Sequence, residues 1–543
     1  MMIWLWIAVV VIVTPLMLAA LYTVVMFLLE MLSKHRLKFY EKQGVKTYYF
    51  PVYGVTEFYK AKRNEQDGLR TFRDLVSNEK DKDLIAVNYP MKFRPILILI
   101  DSDLTKEFFL QELNFVKRMF PFDLKLKGGF LFDYSHRGHH MRSIFSSFFS
   151  NENMTKITPS IRNIVKEHMT NLGIPQQLSM LINWKKKVEE IIVHVVNVVL
   201  FGEKDIPTVN GVTVTEELVN IICSMISEVG IYNKWNIYSM DLLNTFNILP
   251  NSRKVVAARK KIEECILETY NRRKKQPKES LGCNLIDLMI MHNLDAFESG
   301  QTEDILTDEE IIGCIITLQF ASADTTKNLM TNILYFLGTN MNFQPHLLGE
   351  ILKHGLNKDD CGYENLDGSE YLNNFLKECL RLFGPGVQSF DREVIKDFKL
   401  GKYTLKKGTI VVVPFNANGV SEKYFDNPYH FDPDRFTSEN MKKLDKMAYH
   451  PFGFGRRGCF GKNLGVLISK LLVVHLLEEY QIEFDGEQCR HPYFMVSITY
   501  GVSECQLYVQ HRNSQISPPV KSMGRIHMSP KMINSVQPHA GLD

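Results

Sequence analysis

Residues 452–461 (FGFGRRGCFG) constrain this chain more than any other stretch. Four glycines and two arginines surround a single cysteine, Cys459, just ahead of a run, 463–480, that is apolar on almost every side. A run of that kind reads as a buried helix. Gly453, Gly455 and Gly458 also spell G-x-G-x-x-G, with Glu483 and Asp485 placed to reach a ribose. A dinucleotide cradle needs a hydrophobic strand immediately before the glycines, and the MAYHP that precedes them is not one. Two arginines stand where that tight turn must fit, and too little chain follows Asp485 to complete a nucleotide-binding sheet. The segment therefore centres on its cysteine.

A free cysteine, with a pKa of about 8.5, is mostly neutral at pH 7. Placed before a helix N-terminus, its thiolate is stabilised by the first amides and the helix dipole. A thiolate so placed suits axial ligation of a haem iron, onto which it pushes electron density. In that reading Gly455 permits the turn and Gly461 lets the backbone pass close to a flat ligand. Phe452 covers the sulfur side, and Arg457 pairs with a carboxylate of the cofactor. A buried structural cysteine in a glycine loop is the plainer reading of the segment by itself.

Residues 1–29 hold no charged side chain. As a helix they would reach ~40 Å, enough for a hydrocarbon core of ~30 Å. Lys34, Arg36, Lys38, Lys42 and Lys46 follow, so the positive-inside rule places the body in the cytoplasm. The expected organisation is an anchor at 1–30, a catalytic body at 31–511 and a disordered, proline-containing tail at 512–543. Across the 543 residues the 64 Lys plus Arg nearly balance the 61 Asp plus Glu, giving a net charge of +3, so no nucleic-acid partner is indicated. Nine cysteines without a Cys-x-x-Cys pair speak against a disulfide scaffold or zinc ribbon and fit a reducing compartment.

The body reads as mainly α with small β-sheets. Residues 95–100 read as a strand, 155–202, 252–274 and 371–383 as helical, and Thr307-x-x-Glu310 as a capping box opening an apolar helix to about 338. Residues 399–404 and 409–414 read as a hairpin around Gly408, and 493–509 as another with Gly501 at its tip.

Phe452-x-x-Gly455-x-Arg457-x-Cys459-x-Gly461 resembles, at every fixed position, the haem-binding signature of the cytochrome P450 family. Three further blocks resemble it in the right order: Ala321-Ser322-Ala323-Asp324-Thr325-Thr326, Glu378-x-x-Arg381, and Phe425-x-x-Pro428-x-x-Phe431-x-Pro433-x-Arg435-Phe436. The resemblance runs from the anchor to the C-terminal hairpin. It implies the P450 fold, haem b ligated by Cys459, and Asp324 and Thr325 as the pair that relays protons to bound dioxygen. By itself, a threonine in a helix more often bonds back to the preceding turn. It also implies that Glu378, Arg381 and Arg435 lock the fold around the cysteine loop, and that Arg142 and Arg392 meet the propionates. Gly138 stands where the family commonly has tryptophan.

The implied function is insertion of one oxygen atom from O2 into a small apolar organic substrate at the endoplasmic reticulum membrane. Electrons from NADPH would arrive through a separate flavoprotein reductase, with a small haem protein as a further donor. Arg456, Lys462, Lys470, Lys442, Lys443 and Lys446 are the candidate docking cations. Val387, Gln388, Ser389 and Phe390, the Tyr500–Val502 tip and the helix residues around Phe320 are the candidate substrate lining. A peroxide isomerase or dehydratase on the same fold, and a haem-binding sensor without turnover, are the alternatives.

Overall fold

The structure is a computed structural model. It describes residues 14–49, 70–89, 94–118, 130–131, 133–203, 208–209, 212–213, 250–389, 392–484, 486, 494–496 and 499–512. The apolar N-terminal run enters the described region as helix α1 (Thr14–Glu41). Leu16, Met17, Leu21, Phe27 and Leu28 on it stay more than half exposed. At its far end Leu37 and Tyr40 are buried with Leu84, Leu97 and Leu99 of the main sheet. Among the described residues no helix is long and apolar enough to cross a membrane; residues 1–13 of the expected anchor and 513–543 of the expected tail lie outside them.

The main sheet has six strands: β1 (Lys46–Tyr48), β2 (Leu84–Tyr89), β3 (Arg94–Leu99), β4 (Val116–Arg118), β6 (Arg392–Val394) and β7 (Ile410–Val412), ordered β1-β2-β3-β7-β6-β4. Strand β7, Ile-Val-Val, is buried on both faces. It pairs parallel to β3, Ile410 opposite Ile96, and antiparallel to β6. The unbroken apolar run is what a strand covered on both sides requires.

Helices form the bulk of the body: α2 (His136–Phe148), α3 (Asn151–Thr170), α4 (Trp184–Phe201), α5 (Leu285–Glu298), α6 (Asp308–Thr339), α7 (Glu370–Phe383) and α8 (Lys462–Glu479). Helix α6 starts at a capping box in which Thr307 and Glu310 satisfy each other's backbone N–H groups. It runs through the largest hydrophobic cluster together with α4, α7 and α8.

Three expected boundaries move. The helical stretch 155–202 is broken by Gly173, at φ +65°, and Pro175, and the chain passes through β5 (Met180–Asn183) before α4. The first hairpin turns at Gly401 rather than Gly408. Leu400 opposes Tyr403, leaving a two-residue Gly-Lys connection with Gly401 at φ +53°, the positive φ that tight hairpin turns call for. The second hairpin joins β9 (Phe494–Val496) to β10 (Tyr500–Val502), with Gly501 inside β10 opposite Met495. A Cβ at Gly501 would meet the Asn328 side chain at 2.7 Å, so this glycine serves close packing and not a turn. The last strand, β11 (Gln506–His511), pairs instead with β5 and with β8 (Tyr480–Glu483).

Candidate active site

The cysteine loop is closed by its own backbone. The Cys459 N–H donates to the Phe452 carbonyl at 2.8 Å, and Gly458 N–H donates to Gly455 O at 3.1 Å. Gly453 and Gly455 adopt φ +75° and +70°, which a side chain would strain. Cys459 is exposed, whereas Cys314, Cys361, Cys379 and Cys505 are buried; burial pushes the Cys361 thiol up to about 11. Helix α8 begins three residues beyond Cys459, and Gly461 at its N-cap brings no side chain to the first-turn amides. A Cβ at Gly461 would lie 3.9 Å from the Cys459 sulfur. The sulfur thus has the helix N-terminus beside it, where a thiolate is stabilised.

Arginines bind the loop to the rest of the body. Arg457 is 2% exposed; it donates to Phe130 O at 3.2 Å and Asp133 O at 2.7 Å and lies 4.1 Å from the Tyr134 ring centroid. Arg142, on α2, donates to Arg456 O at 2.9 Å and Gly458 O at 2.5 Å, with its guanidinium 3.7 Å over the Phe460 ring. Arg392 is buried in β6, opposite Val411 and Arg118 in register. The position of Gly138 is filled: a Cβ there would meet the Asp133 side chain at 2.5 Å. The segment leading into α2 occupies the space a tryptophan would need.

Glu378 and Arg381 form a fully buried ion pair on one face of α7, with contacts of 2.6 and 2.7 Å. Arg381 also donates to the carbonyls of Gly419, Pro428 and His430. Glu378 accepts the Asp432 N–H at 2.8 Å and lies 3.5 Å from Arg435 Nε. Glu378 and Arg381 thus contact the segment 419–432 that leads to the cysteine loop, with Arg435 beside them.

Helix α6 is mostly buried on both sides of its middle, but Ala321, Ser322, Asp324 and Thr325 are only half-buried. Ser322 and Thr325 donate back to Leu318 O at 2.7 Å and Ala321 O at 2.8 Å, bonds that loosen a helix locally. Asp324 is held by groups that the sequence reading did not select. Thr499 donates to its Oδ2 at 2.5 Å, and Lys327 Nζ lies 3.2 Å from its Oδ1. Asn328 and Lys327 were legible at helical spacing; Thr499 follows 175 positions later and comes near only through packing of the β9–β10 hairpin. Beside them Lys185 donates to Val502 O and Ser503 O, and burial, with Lys327 nearby, lowers its pKa.

Of the expected docking cations, Arg456, Lys462, Lys442, Lys443 and Lys446 are exposed. Lys470 is not: it is 3% exposed, faces the body from α8, and donates to Leu366 O and Asp367. The expected lining residue Phe390 lies outside the described residues.

The family profile of cytochrome P450 matches residues 85–503. Among curated relatives, cytochrome P450 3A15 of Cavia porcellus is 33% identical over 193 residues, 36% of this chain and 38% of that protein. Cytochrome P450 3A18 of Rattus norvegicus is 32% identical over 211 residues, 39% and 42% of the two chains. Cytochrome P450 9e2 of Blattella germanica is 32% identical over 201 residues, 35% and 37%. The chain thus spans about two-fifths of the length of the curated relatives it matches. With the family profile spanning most of the chain, this chain belongs to the cytochrome P450 family.

Proposed function

We propose that this chain is a membrane-anchored haem-thiolate monooxygenase. The observation that carries the reading is the accessible Cys459 at the N-terminus of α8, in a body whose central helix has its one acid–hydroxyl pair, Asp324–Thr325, where burial lapses. The residues present fit the family's cofactor. Cys459 would hold the iron, Phe130 and Phe460, 5.2 Å apart, supply aromatic surface, and Arg457, Arg142 and Arg392 supply cations for two carboxylates. The Tyr134 hydroxyl, a buried donor with no hydrogen-bond partner among the described residues, belongs to the ring that Arg457 covers and offers a further bond.

Haem, when bound, supplies dioxygen activation and one-electron chemistry. The net reaction consumes a substrate C–H group, O2, two electrons and two protons, and yields an alcohol and water. The chain's own part is to hold the sulfur, to exclude bulk water with the apolar core around α6, and to deliver protons from Asp324 and Thr325. General acid assistance of that kind is worth ~10²–10⁴ in rate. Thr325 must release the Ala321 carbonyl to act.

Electrons would come from an NADPH-dependent flavoprotein reductase, possessing an acidic face for Arg456, Lys462, Lys442, Lys443 and Lys446, with a small haem protein as second donor. The substrate is a small apolar organic compound. Residues 1–30 would form a single endoplasmic reticulum anchor with the body, 31–511, on the cytoplasmic side and 512–543 as its tail; the exposed apolar side chains of α1 and the basic residues Lys34, Arg36, Lys38, Lys42 and Lys46 support this. The test is reconstitution with reductase, NADPH and candidate substrates, with product, hydrogen peroxide and NADPH counted together. NADPH-dependent product supports the reading; turnover of an organic hydroperoxide with no NADPH-supported product contradicts it.

A further inference from the structure

Three polar residues stand at four-residue intervals on α6: Asp324, Asn328 and Asn332. That spacing puts them on one face of the helix, and all three contact the β9–β10 hairpin or its turn. Asn332 donates to Tyr500 O at 3.4 Å and accepts from Val502 N–H at 3.1 Å. Asn328 donates to the Thr499 hydroxyl at 2.5 Å, and Gly501 lies too close to Asn328 for any Cβ. Thr499 in turn donates to Asp324 Oδ2 at 2.5 Å. The stripe is a buried docking face: Asn328, Asn332 and Thr499 are each under 10% exposed. The hairpin is tied on its other side as well, through Tyr500 N–H to Pro385 O at 3.1 Å, next to the candidate lining residues Val387 and Ser389.

We propose that Thr499 is a positioning residue for Asp324, through which the substrate-side hairpin sets the proton-delivering carboxylate. The inference rests on the role given to Asp324 above. The accepted Asn328 N–H fixes where the Thr499 hydroxyl hydrogen points, so that it donates to Oδ2, while Lys327 occupies Oδ1. The carboxylate is thereby held from two sides, one of which moves with the hairpin. A substrate that presses on residues 499–502 displaces the donor of a charge-assisted bond, and such bonds are about twice as strong as neutral ones. Substrate occupancy is then transmitted to the carboxylate without any direct contact.

The test compares Thr499→Val, which keeps the shape and removes the hydroxyl, with Thr499→Ser, which keeps the hydroxyl, and with Asp324→Asn as the reference. The probe is whichever of a panel of alkyl and benzyl ethers of hydroxycoumarin the wild-type enzyme dealkylates fastest, with reductase and NADPH. For Thr499→Val, product per NADPH falls about tenfold, with KM moved far less than kcat, and Thr499→Ser stays within about twofold of wild type. A second readout needs no turnover: backbone amide exchange at Tyr500 and Val502 in the haem-loaded enzyme quickens in Thr499→Val and not in Thr499→Ser. Thr499→Ala serves in the same two assays if the valine variant does not take up haem. Wild-type yield and exchange in the hydroxyl-free variants, with Asp324→Asn uncoupled, overturns the role of Thr499 and leaves that of Asp324 standing. Wild-type yield in Asp324→Asn overturns both.

Discussion

Arg381→Met removes the cation from an ion pair whose side chains are both wholly buried. The guanidinium makes five donated hydrogen bonds, two to Glu378 and three to the carbonyls of Gly419, Pro428 and His430. Methionine fills much of the volume and satisfies none of these acceptors. Among the described residues the Glu378 carboxylate then keeps the Asp432 N–H and Arg435 at 3.5 Å. Breaking one side of a buried pair costs about 3–5 kcal/mol, and the orphaned carbonyls put this case toward the upper end. The assay is urea unfolding of the haem-loaded chain, followed in parallel by haem absorbance and far-ultraviolet circular dichroism. Lys156→Met, which breaks the exposed pair with Glu152, is the control and should leave the midpoint unchanged, since surface pairs contribute little. Glu378→Leu combined with Arg381→Met should recover part of the loss, because no buried charge is left alone. An Arg381→Met midpoint equal to that of the control would refute the reasoning.

Three further outcomes follow from the same contacts. Burial lowers the His475 imidazole from 6.5 to about 4; the unfolded chain therefore binds the extra proton first, and stability falls by about 3 kcal/mol as pH drops through that window, a slope that His475→Leu should flatten in unfolding measured across it. Gly138→Ala should lower the thermal midpoint and Gly138→Trp should block haem uptake, because Asp133 already fills the site; a stable, loaded tryptophan variant would contradict this. Thr325→Ala should keep substrate-induced spectral shifts while diverting electrons to hydrogen peroxide or water, and unchanged product per NADPH would remove Thr325 from the mechanism.

What the sequence made legible were features set by short spacing. The capping box at Thr307, the i,i+3 pair Glu378–Arg381 and the glycine–cysteine loop before α8 each depend on neighbours within a few residues, and each stands where the pattern put it. What it hid were contacts made by packing between distant segments. Gly401 and Gly408 are equally turn-like in composition; strand pairing of Ile410–Val412 with β3 decides between them. Gly501 reads as a turn residue and is in fact a contact with Asn328. Lys470 reads as a surface residue by its charge although it stands inside the apolar run 463–480, and Leu366 and Asp367 receive its ammonium. Thr499 carries no local signal at all, and neither do the backbone carbonyls that receive Arg142 and Arg457.

The central claim is that Cys459 holds the cofactor iron, and the absorption spectrum of the reduced carbon monoxide complex reads that ligand directly. The wild-type chain should give a thiolate-type spectrum, and Cys459→His should lose it while retaining bound haem. A thiolate-type spectrum that survives in Cys459→His would place the ligand on another cysteine and contradict the account.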